Sequence, residues 1–257
     1  MSGTFSQEYV AVYDLLYGAK DYVSEADFVL ARLNKASSAP LNNLLDIGSG
    51  TGRHAHLFAK QGLAVHGVDL SEKMVALATQ RSTGLPTASS VQFMQGDVRS
   101  FRLLQAFDAA AALFHVLSYI TVNDDLDAAL RQIRRHLPKG APFLFDYWYA
   151  EAIRRDGVAR REREVESDAW HVHRLTEPVL EAKNDLVRVN FHVTATDKKT
   201  GTIHRWQEEH PMRYFDPAFL EEKLSVHGFK TIAHGEWLTK GPPQAGELGA
   251  YVLAVAI

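Results

Sequence analysis

The sequence contains no cysteine, and this absence excludes several kinds of protein at once. Disulfides, thiolate metal sites and cysteine nucleophiles cannot occur, so a secreted scaffold held together by disulfides is ruled out. Residues 1–8 are polar and lack the apolar segment of a signal peptide. No window of the sequence reaches the roughly 20 apolar residues that a membrane-spanning helix needs. We therefore expect a soluble, cytoplasmic protein with no membrane partner.

An excess of charge of one sign is also missing. The 28 Lys and Arg residues are balanced by 31 Asp and Glu residues, which leaves a net charge of -3. Binding along polymeric nucleic acid requires a basic surface that neutralises phosphates, so nucleic acid is not an expected partner. The 257 residues are enough for one full core that carries an inserted lobe.

Short apolar runs alternate with helical patterns between about residues 41 and 147. This alternation is typical of strand-helix-strand units that build a parallel sheet. The predicted strands span 43–47, 64–69, 91–95, 107–114 and 142–147. The clearest predicted helices span 52–61, 71–81 with Ser71 as the N-cap, and 124–136.

The pattern changes from residue 157 to about residue 215. Alternating runs at 186–196 and 202–212, joined by a turn at 197–201, predict an antiparallel β lobe inserted into the parallel core. Residues 160–166 alternate in charge, which indicates a solvated face or a mobile link. We divide the chain into a core of residues 1–150 and 215–257, with an N-terminal helical lid, and a lobe of residues 151–214.

The C-terminal segment returns to the core. Asp216 and Pro217 open a helix that runs to about Val226, and a strand follows at 229–233. Residues 251–257 are almost wholly apolar. A strand without a polar face is expected inside a sheet that is covered on both sides, so this last strand should lie between other strands.

The segment DIGSGTG at 46–52 follows an apolar strand and opens a helix. In that context, glycine leaves room for a ligand against the backbone and adopts the angles of a tight turn. Asp69 ends the second strand, where a carboxylate can accept hydrogen bonds from both hydroxyls of a ribose. Asp69 could instead cap the following helix, although Ser71 is available for that role. We therefore expect a nucleotide-like ligand across this turn.

The spacing of the three glycines separates two kinds of nucleotide site. Dinucleotide-binding proteins usually have Gly-x-Gly-x-x-Gly, whereas here the glycines alternate at 48, 50 and 52. The pattern resembles motif I of class I S-adenosylmethionine-dependent methyltransferases. The segments VDLS at 68–71, QGDV at 95–98 and FD at 107–108 resemble further motifs of that family.

The resemblance implies an α/β fold with a doubly wound Rossmann-like sheet, mostly parallel, with an antiparallel C-terminal strand. It also implies that S-adenosylmethionine is the cofactor and S-adenosylhomocysteine the product. The implied cofactor-binding residues are Asp46, Gly48 and Gly50 at the methionine moiety, Asp69 at the ribose, Asp97 with Val98 at the adenine, and Leu70 with Met74 over the adenine face. For Leu70 and Met74, packing in the core as part of a helix face is an equally good interpretation.

Tyr9, Tyr13 and Tyr17 share one face of an N-terminal helix. Simple packing on the core is an alternative, and for Tyr9 it is the preferred one. The segment 12–22 is similar to the N-terminal lid of bacterial N-methyltransferases that make dimethylamino groups on nucleotide-linked deoxysugars. That resemblance implies that Tyr17 and Tyr22 lie close to the methionine end of the cofactor. Small-molecule N-methyltransferases that act on amines such as glycine share this outline, so the acceptor stays open.

The segment 113–119 also resembles those enzymes and follows the fourth strand, at the edge where ligands of open parallel sheets bind. The resemblance adds Phe114 to the cofactor site, and the position makes His115, Ser118 and Tyr119 candidates for the acceptor side. An amine need only be neutral before attack, whereas a hydroxyl needs a general base. Our hypothesis is that Tyr17 and Tyr119 orient an amine and that His115 accepts a proton. His115 as a loop histidine bonded to backbone remains an alternative.

Residues 146–149 end the fifth strand at the same edge. Asp146 could pair with a cationic amine there, or the aromatic residues beside it could simply close the core. The twelve histidines do not predict a metal site, because His54 and His56 point apart on a helix and His171 with His173 lacks an acidic partner.

Methyl transfer to a small-molecule amine, for example a nucleotide-linked aminosugar, is the expected function. The alternatives are O-methylation of a small hydroxylated metabolite, an NAD(P)-dependent oxidoreductase and a non-catalytic S-adenosylmethionine-binding protein. The inserted lobe would either cover the active site or form the interface of a homodimer.

Overall fold

The computed structural model describes residues 5–239, 241–243 and 248–257, and it begins with two helices that precede the first strand. Helix α1 spans Gln7–Leu16 and helix α2 spans Tyr22–Ala36. The side chains of Ser6 and Asp21 accept hydrogen bonds from backbone N–H groups in the first turn of each helix. These caps satisfy donors that have no partner inside a helix, so both helices begin where their sequences indicate.

Within the described residues, seven strands form the core sheet: β1 Asn43–Ile47, β2 Ala64–Asp69, β3 Val91–Gln95, β4 Ala109–Ala112, β5 Pro142–Tyr149, β10 Phe229–Glu236 and β11 Gly249–Ala256. Their order is β3-β2-β1-β4-β5-β11-β10. Strands β1 to β5 pair in parallel, whereas β11 is antiparallel to both β5 and β10. The predicted α/β fold, with an antiparallel C-terminal strand inside the sheet, is confirmed.

Helices cover both faces of the core sheet. They are α3 Arg53–Lys60, α4 Glu72–Ser82, α5 Asn123–Arg135, α6 Ala150–Asp156 and α7 Pro217–Val226. Leu130 of α5 and Leu224 of α7 pack with Phe143 on one face. Leu33 of α2 and Phe58 of α3 pack with residues of the opposite face. Each such buried side chain contributes roughly 1.5–3 kcal/mol, so this double layer supplies the rigid base on which the site is built.

Four strands between α6 and α7 form the antiparallel sheet: β6 Arg161–Glu166, β7 Trp170–Glu181, β8 Leu186–Asp197 and β9 Ile203–Phe215. The end of β9 pairs with the end of β5 through Trp148 with Tyr214 and Tyr149 with Phe215. The two sheets are therefore continuous at the carboxyl edge of the parallel strands. The inner face of the antiparallel sheet packs against α1.

Several predicted boundaries differ from the structure. Strand β4 ends earlier than predicted because Phe114 and His115 adopt positive φ angles of 70° and 61°, which do not continue a regular strand. Strands β5 and β10 extend further than predicted. Residues 161–166 form an edge strand with mostly exposed side chains, which favours the solvated face over the mobile link. In the part of the chain that the structure describes, no helix is long and apolar enough to cross a membrane.

Candidate active site

The glycine turn between β1 and α3 has the conformation that its sequence indicates. Gly48, Gly50 and Gly52 have φ angles of 67°, 54° and 76°. A Cβ at Gly48 would lie 2.3 Å from Val116, and one at Gly52 would lie 2.6 Å from Phe93. A Cβ at Gly50 would meet no protein atom within 4 Å. Gly48 and Gly52 are therefore needed for close packing, while Gly50 opens the backbone to a ligand.

Asp69 braces this turn from the end of β2. One carboxylate oxygen accepts a hydrogen bond of 2.8 Å from the backbone N–H of Gly50, and the other accepts one of 2.8 Å from that of Ser71. Burial raises the pKa of Asp69 above its usual value, against the effect of these two hydrogen bonds. Ser71 caps α4 as predicted. Asp69 thus supports both loops and also lies in the wall of a cavity.

The cavity has a volume of about 560 Å³ and lies at the carboxyl edge of the parallel strands, between the core sheet, α1 and the antiparallel sheet. This volume is typical of a small-molecule site. Its wall includes these predicted site residues: Tyr17, Gly48, Gly50, Asp69, Leu70, Met74, Asp97, Val98, Phe114, His115 and Tyr119. Of the predicted site residues, Tyr22 and Asp46 are not part of this wall. Ser118 is buried outside it.

Asp46 lies in the interior at the end of β1. Burial, followed by the nearby charge of Asp69, raises the pKa of Asp46 to about 8. Asp46 was predicted to lie beside the methionine moiety, but its side chain lies behind the cavity wall and forms no part of it.

Tyr22 packs in a layer behind the cavity. Its ring centroid lies 4.9 Å from that of His54, and burial raises its pKa to about 12. Lys20 links this layer to the wall, because its Nζ lies 4.6 Å from the ring centroids of both Tyr22 and Phe114. His54 bonds Glu25 whereas His56 bonds Thr87, so the two histidines face different partners.

One end of the cavity has an exposed apolar side chain beside acidic groups. Leu70 is 66% exposed and lines the cavity. The guanidinium of Arg99 donates hydrogen bonds to Asp97 and to Asp125. The hydrogen bond with Arg99 lowers the pKa of Asp97, which keeps that carboxylate ionised as an acceptor. The sequence did not predict this engagement of Asp97 by Arg99.

Helix α1 closes the cavity and is fastened to the glycine turn by Asp14. The Asp14 carboxylate accepts a hydrogen bond of 2.8 Å from Thr51 and one of 3.0 Å from Arg53, and Arg81 forms an ion pair with it. The side chains of Asp14, Arg53 and Arg81 are a quarter to a third exposed. Partly exposed ion pairs contribute about 0–1 kcal/mol each, so these pairs add only modestly to the attachment of α1.

The tyrosines of α1 contact a buried arginine of the antiparallel sheet. Arg174 donates hydrogen bonds of 2.9 Å to Tyr17 and 3.2 Å to Tyr9, and the two phenol oxygens are 3.0 Å apart. Tyr9 is buried and stacks on Phe191, as the packing interpretation predicts, yet it also reaches the cavity wall. The orientation of Tyr17 is therefore set by a residue 157 positions away in sequence.

The turn after β4 is held by Asp146. One oxygen of its carboxylate accepts a hydrogen bond of 3.0 Å from the backbone N–H of His115, and the other lies 2.9 Å from Nδ1 of the same residue. Two consecutive residues with left-handed backbone are strained and persist only where their surroundings impose them. Both oxygens of the Asp146 carboxylate therefore contact His115. Trp148, two residues further along β5, lines the cavity.

Tyr119 contacts the antiparallel sheet rather than His115. A hydrogen bond of 2.9 Å joins its phenol oxygen to Nδ1 of His210, which also lines the cavity. Burial raises the pKa of Tyr119 well above its usual value, so the phenol is neutral. His210 and Glu208 are functional candidates that the sequence interpretation missed. The signal was present, because they alternate with exposed residues and continue the inward row of Met212 and Tyr214 in an amphipathic strand.

Comparison with known proteins agrees with this geometry. Residues 44–140 match the family model described as a methyltransferase domain. The chain is 31% identical to the dTDP-3-amino-3,4,6-trideoxy-alpha-D-glucopyranose N,N-dimethyltransferase of Streptomyces venezuelae, over 94% of this chain and 97% of that protein. It is 30% identical to the dTDP-3-amino-3,6-dideoxy-alpha-D-glucopyranose N,N-dimethyltransferase of Streptomyces fradiae, over 94% and 93% of the two chains.

A solved structure shows the same fold. It is the S-adenosylmethionine-bound amino pentose methyltransferase from Micromonospora echinaspora, which matches with a TM-score of 0.75 and 23% identity over 100% of both chains.

The doubly wound sheet, the glycine turn and the cavity beside Asp69 define an S-adenosylmethionine-dependent methyltransferase of the Rossmann-like class. The predicted cofactor is confirmed, and the oxidoreductase alternative is set aside. The chain belongs to the methyltransferase family that includes the two sugar N,N-dimethyltransferases named above.

Proposed function

We propose that this protein transfers methyl groups from S-adenosylmethionine to the amine of a nucleotide-linked aminosugar. One observation carries the proposal: much of the cavity wall is built from aromatic side chains, namely Phe5, Tyr9, Tyr13, Tyr17, Phe114, Tyr119, Trp148 and Phe191. Aromatic faces attract a cationic amine, while burial among them favours its neutral, nucleophilic form. The two similar N,N-dimethyltransferases act on dTDP-linked aminosugars, which supports the same acceptor class.

The residues of the cavity wall fit the cofactor. The open side of Gly50 leaves room for the ligand, and the Asp69 carboxylate can accept hydrogen bonds from ribose hydroxyls. When bound, S-adenosylmethionine supplies a methyl group already activated by its sulfonium. We assign the methionine end to Gly48, Gly50, Tyr17 and Phe114, the ribose to Asp69, and the adenine to Leu70, Met74, Asp97 and Val98. Asp46 and Tyr22 would support this site from behind the wall.

Alignment of donor and acceptor is then the main task of the protein. Tyr17 is fixed by Arg174, and Tyr119 is fixed by His210. We propose that these two phenols orient the amine and that His115, held by Asp146, is a candidate proton acceptor. Because an amine need only be neutral before it attacks, a group of moderate basicity is enough to take its proton.

The antiparallel sheet contributes to the acceptor side. Val189, Phe191, His210 and Met212 from its inner face line the cavity, which supports a role for the lobe as a cover. We propose the division into a core of residues 1–150 and 215–257 and a lobe of residues 151–214 on this basis. A homodimer through the inserted lobe and a cytoplasmic location remain predictions.

The test is an assay with S-adenosylmethionine and dTDP-3-amino-3,4,6-trideoxyglucose. We expect release of S-adenosylhomocysteine and a product that gains one or two methyl groups on nitrogen, detected by mass spectrometry. The matched control is the analogue with a hydroxyl in place of the amine. Methylation of the hydroxyl analogue alone would favour the O-methyltransferase alternative, and binding of cofactor without transfer to a panel of aminosugars would contradict the proposal.

A further inference from the structure

Three side chains form a buried chain of polar groups that leads away from the acceptor side of the cavity. Tyr119 bonds Nδ1 of His210 at 2.9 Å, and Nε2 of His210 lies 3.6 Å from the carboxylate of Glu208. The side chains of His210 and Glu208 are only 2% and 1% exposed. Buried polar groups are costly unless they are partnered, so such a chain in an otherwise apolar sheet face requires a reason.

The last member of the chain also fastens the N-terminal lid. The two carboxylate oxygens of Glu208 accept hydrogen bonds of 2.8 Å from the backbone N–H of Phe5 and 3.0 Å from that of Ser6. Ser6 is the N-cap of α1, and the ring of Phe5 lies 5.2 Å from that of His210. The carboxylate therefore has its full set of partners only when α1 is in place.

The surroundings of His210 leave it one acidic partner and one phenolic partner. The rings of Phe5, Tyr9, Phe191 and Tyr119 surround it at centroid distances of 4.8–5.8 Å. The titratable groups that face it are Tyr119 from the turn after β4, Tyr9 from α1 and Glu208 from its own strand. Arg174 from β7 bonds the far side of Tyr9. His210 thus lies between a phenol and a carboxylate and is shielded from solvent.

We propose that Tyr119, His210 and Glu208 form a proton path from the acceptor amine and that docking of α1 on Glu208 completes it. The proposal rests on the proposed function. An N–H bond of the acceptor ammonium breaks, and its proton moves to the oxygen of Tyr119. At the same time the O–H proton of Tyr119 passes to Nδ1 of His210. The products are a neutral amine, a neutral phenol and an imidazolium beside the Glu208 carboxylate. His210 and Glu208 are positioning residues in this scheme because they act through Tyr119.

The decisive variant is His210→Asn. An asparagine side chain can still accept the hydrogen bond from Tyr119, but it cannot take a proton. We expect kcat for dTDP-3-amino-3,4,6-trideoxyglucose to fall at least about tenfold, because proton transfer by a positioned group contributes about 100-fold or more. The KM for S-adenosylmethionine should stay unchanged, and the limb of the pH profile that reports this proton acceptor should disappear.

A matched control is His192→Asn on the outer face of the neighbouring strand, where the histidine pairs with Glu177 at 3.1 Å. It should keep the wild-type kcat and pH profile. Far-UV circular dichroism and S-adenosylhomocysteine affinity show whether each variant is folded.

A second comparison separates this path from His115. Glu208→Gln combined with His210→Asn should have the kcat of the slower single variant, because two groups in one path are not additive. When Glu208→Gln is combined with His115→Asn, the fold-losses in kcat of the two single variants should multiply, because the two residues lie on different paths. If wild-type enzyme methylates the aminosugar and His210→Asn does so at the same rate with the same pH profile, the path is overturned. If wild-type enzyme methylates no aminosugar, the proposed function itself is overturned.

Discussion

Asp146 contacts His115 twice, through the backbone N–H at 3.0 Å and through Nδ1 of the ring at 2.9 Å. The same carboxylate therefore holds a strained backbone conformation and orients a side chain that faces the cavity. This arrangement ties the end of β5 to the turn after β4. The buried Asp146 carboxylate therefore contacts both the backbone and the ring of His115, a candidate proton acceptor.

Replacement of Asp146 should separate these two contributions. Asp146→Ala leaves the N–H of His115 without a partner, which costs about 1–3 kcal/mol in the free energy of unfolding. Asp146→Asn keeps an oxygen for that N–H and should lose less stability, yet it removes the negative charge beside the ring. Urea unfolding and turnover, measured on both variants, check this. Equal stability of the wild type and Asp146→Ala would contradict the supporting role.

Gly50→Ala should lose cofactor binding without a large loss of stability. The new methyl group would meet no protein atom within 4 Å and would project into the space left for a ligand. The left-handed backbone would cost about 1–2 kcal/mol. Gly84→Ala is the matched control, since Gly84 also has a positive φ and open surroundings but does not line the cavity. Calorimetry with S-adenosylhomocysteine should show normal binding for Gly84→Ala only.

Because of Asp46, the free energy of unfolding should fall as pH rises. Its pKa is raised from 3.8 to about 8 in the folded protein, so the folded state holds a proton that the unfolded state releases. The corresponding stabilisation is complete below pH 3.8 and is lost as pH rises through about 8. Asp46→Asn should therefore gain stability relative to the wild type as pH rises from 4 to 8. Unfolding midpoints in urea across this range measure the difference, and parallel curves would refute it.

Asp14→Asn should loosen the contact between α1 and the glycine turn. Loss of charge weakens the interactions with Arg53 and Arg81, each of which contributes at most about 1 kcal/mol. We expect the dissociation constant for S-adenosylhomocysteine to rise about fivefold, because 1 kcal/mol corresponds to that factor. Asp156→Asn, which affects an exposed pair with Arg155, is the control. An unchanged affinity in Asp14→Asn would show that α1 is held by packing alone.

Short-range patterns predicted the glycine turn and the acid beside it with the geometry that the structure has. The glycine turn, Asp69 and Ser71 lie within one strand-turn-helix unit and the strand that follows it, where local geometry leaves little freedom. Tyr17, Phe114, His115 and Tyr119 also reach the wall, although their neighbours there were not predicted. Tyr22 and Asp46 lie behind the wall. The packing of α2 determines the depth of Tyr22, and the position of the end of β1 determines that of Asp46.

By itself, the sequence determined the alternation of strands and helices between residues 43 and 147, the glycine turn and the position of Asp69 beside it. These features depend on residues close together in the chain, whose spacing limits their geometry. Only the tertiary structure decided which groups meet on the acceptor side: Arg174 reaches Tyr17 across 157 residues, and His210 reaches Tyr119 across 91. Those contacts depend on how the antiparallel sheet joins β5 and packs against α1. No local pattern records that packing, because it arises from the joint burial of surfaces far apart in the chain.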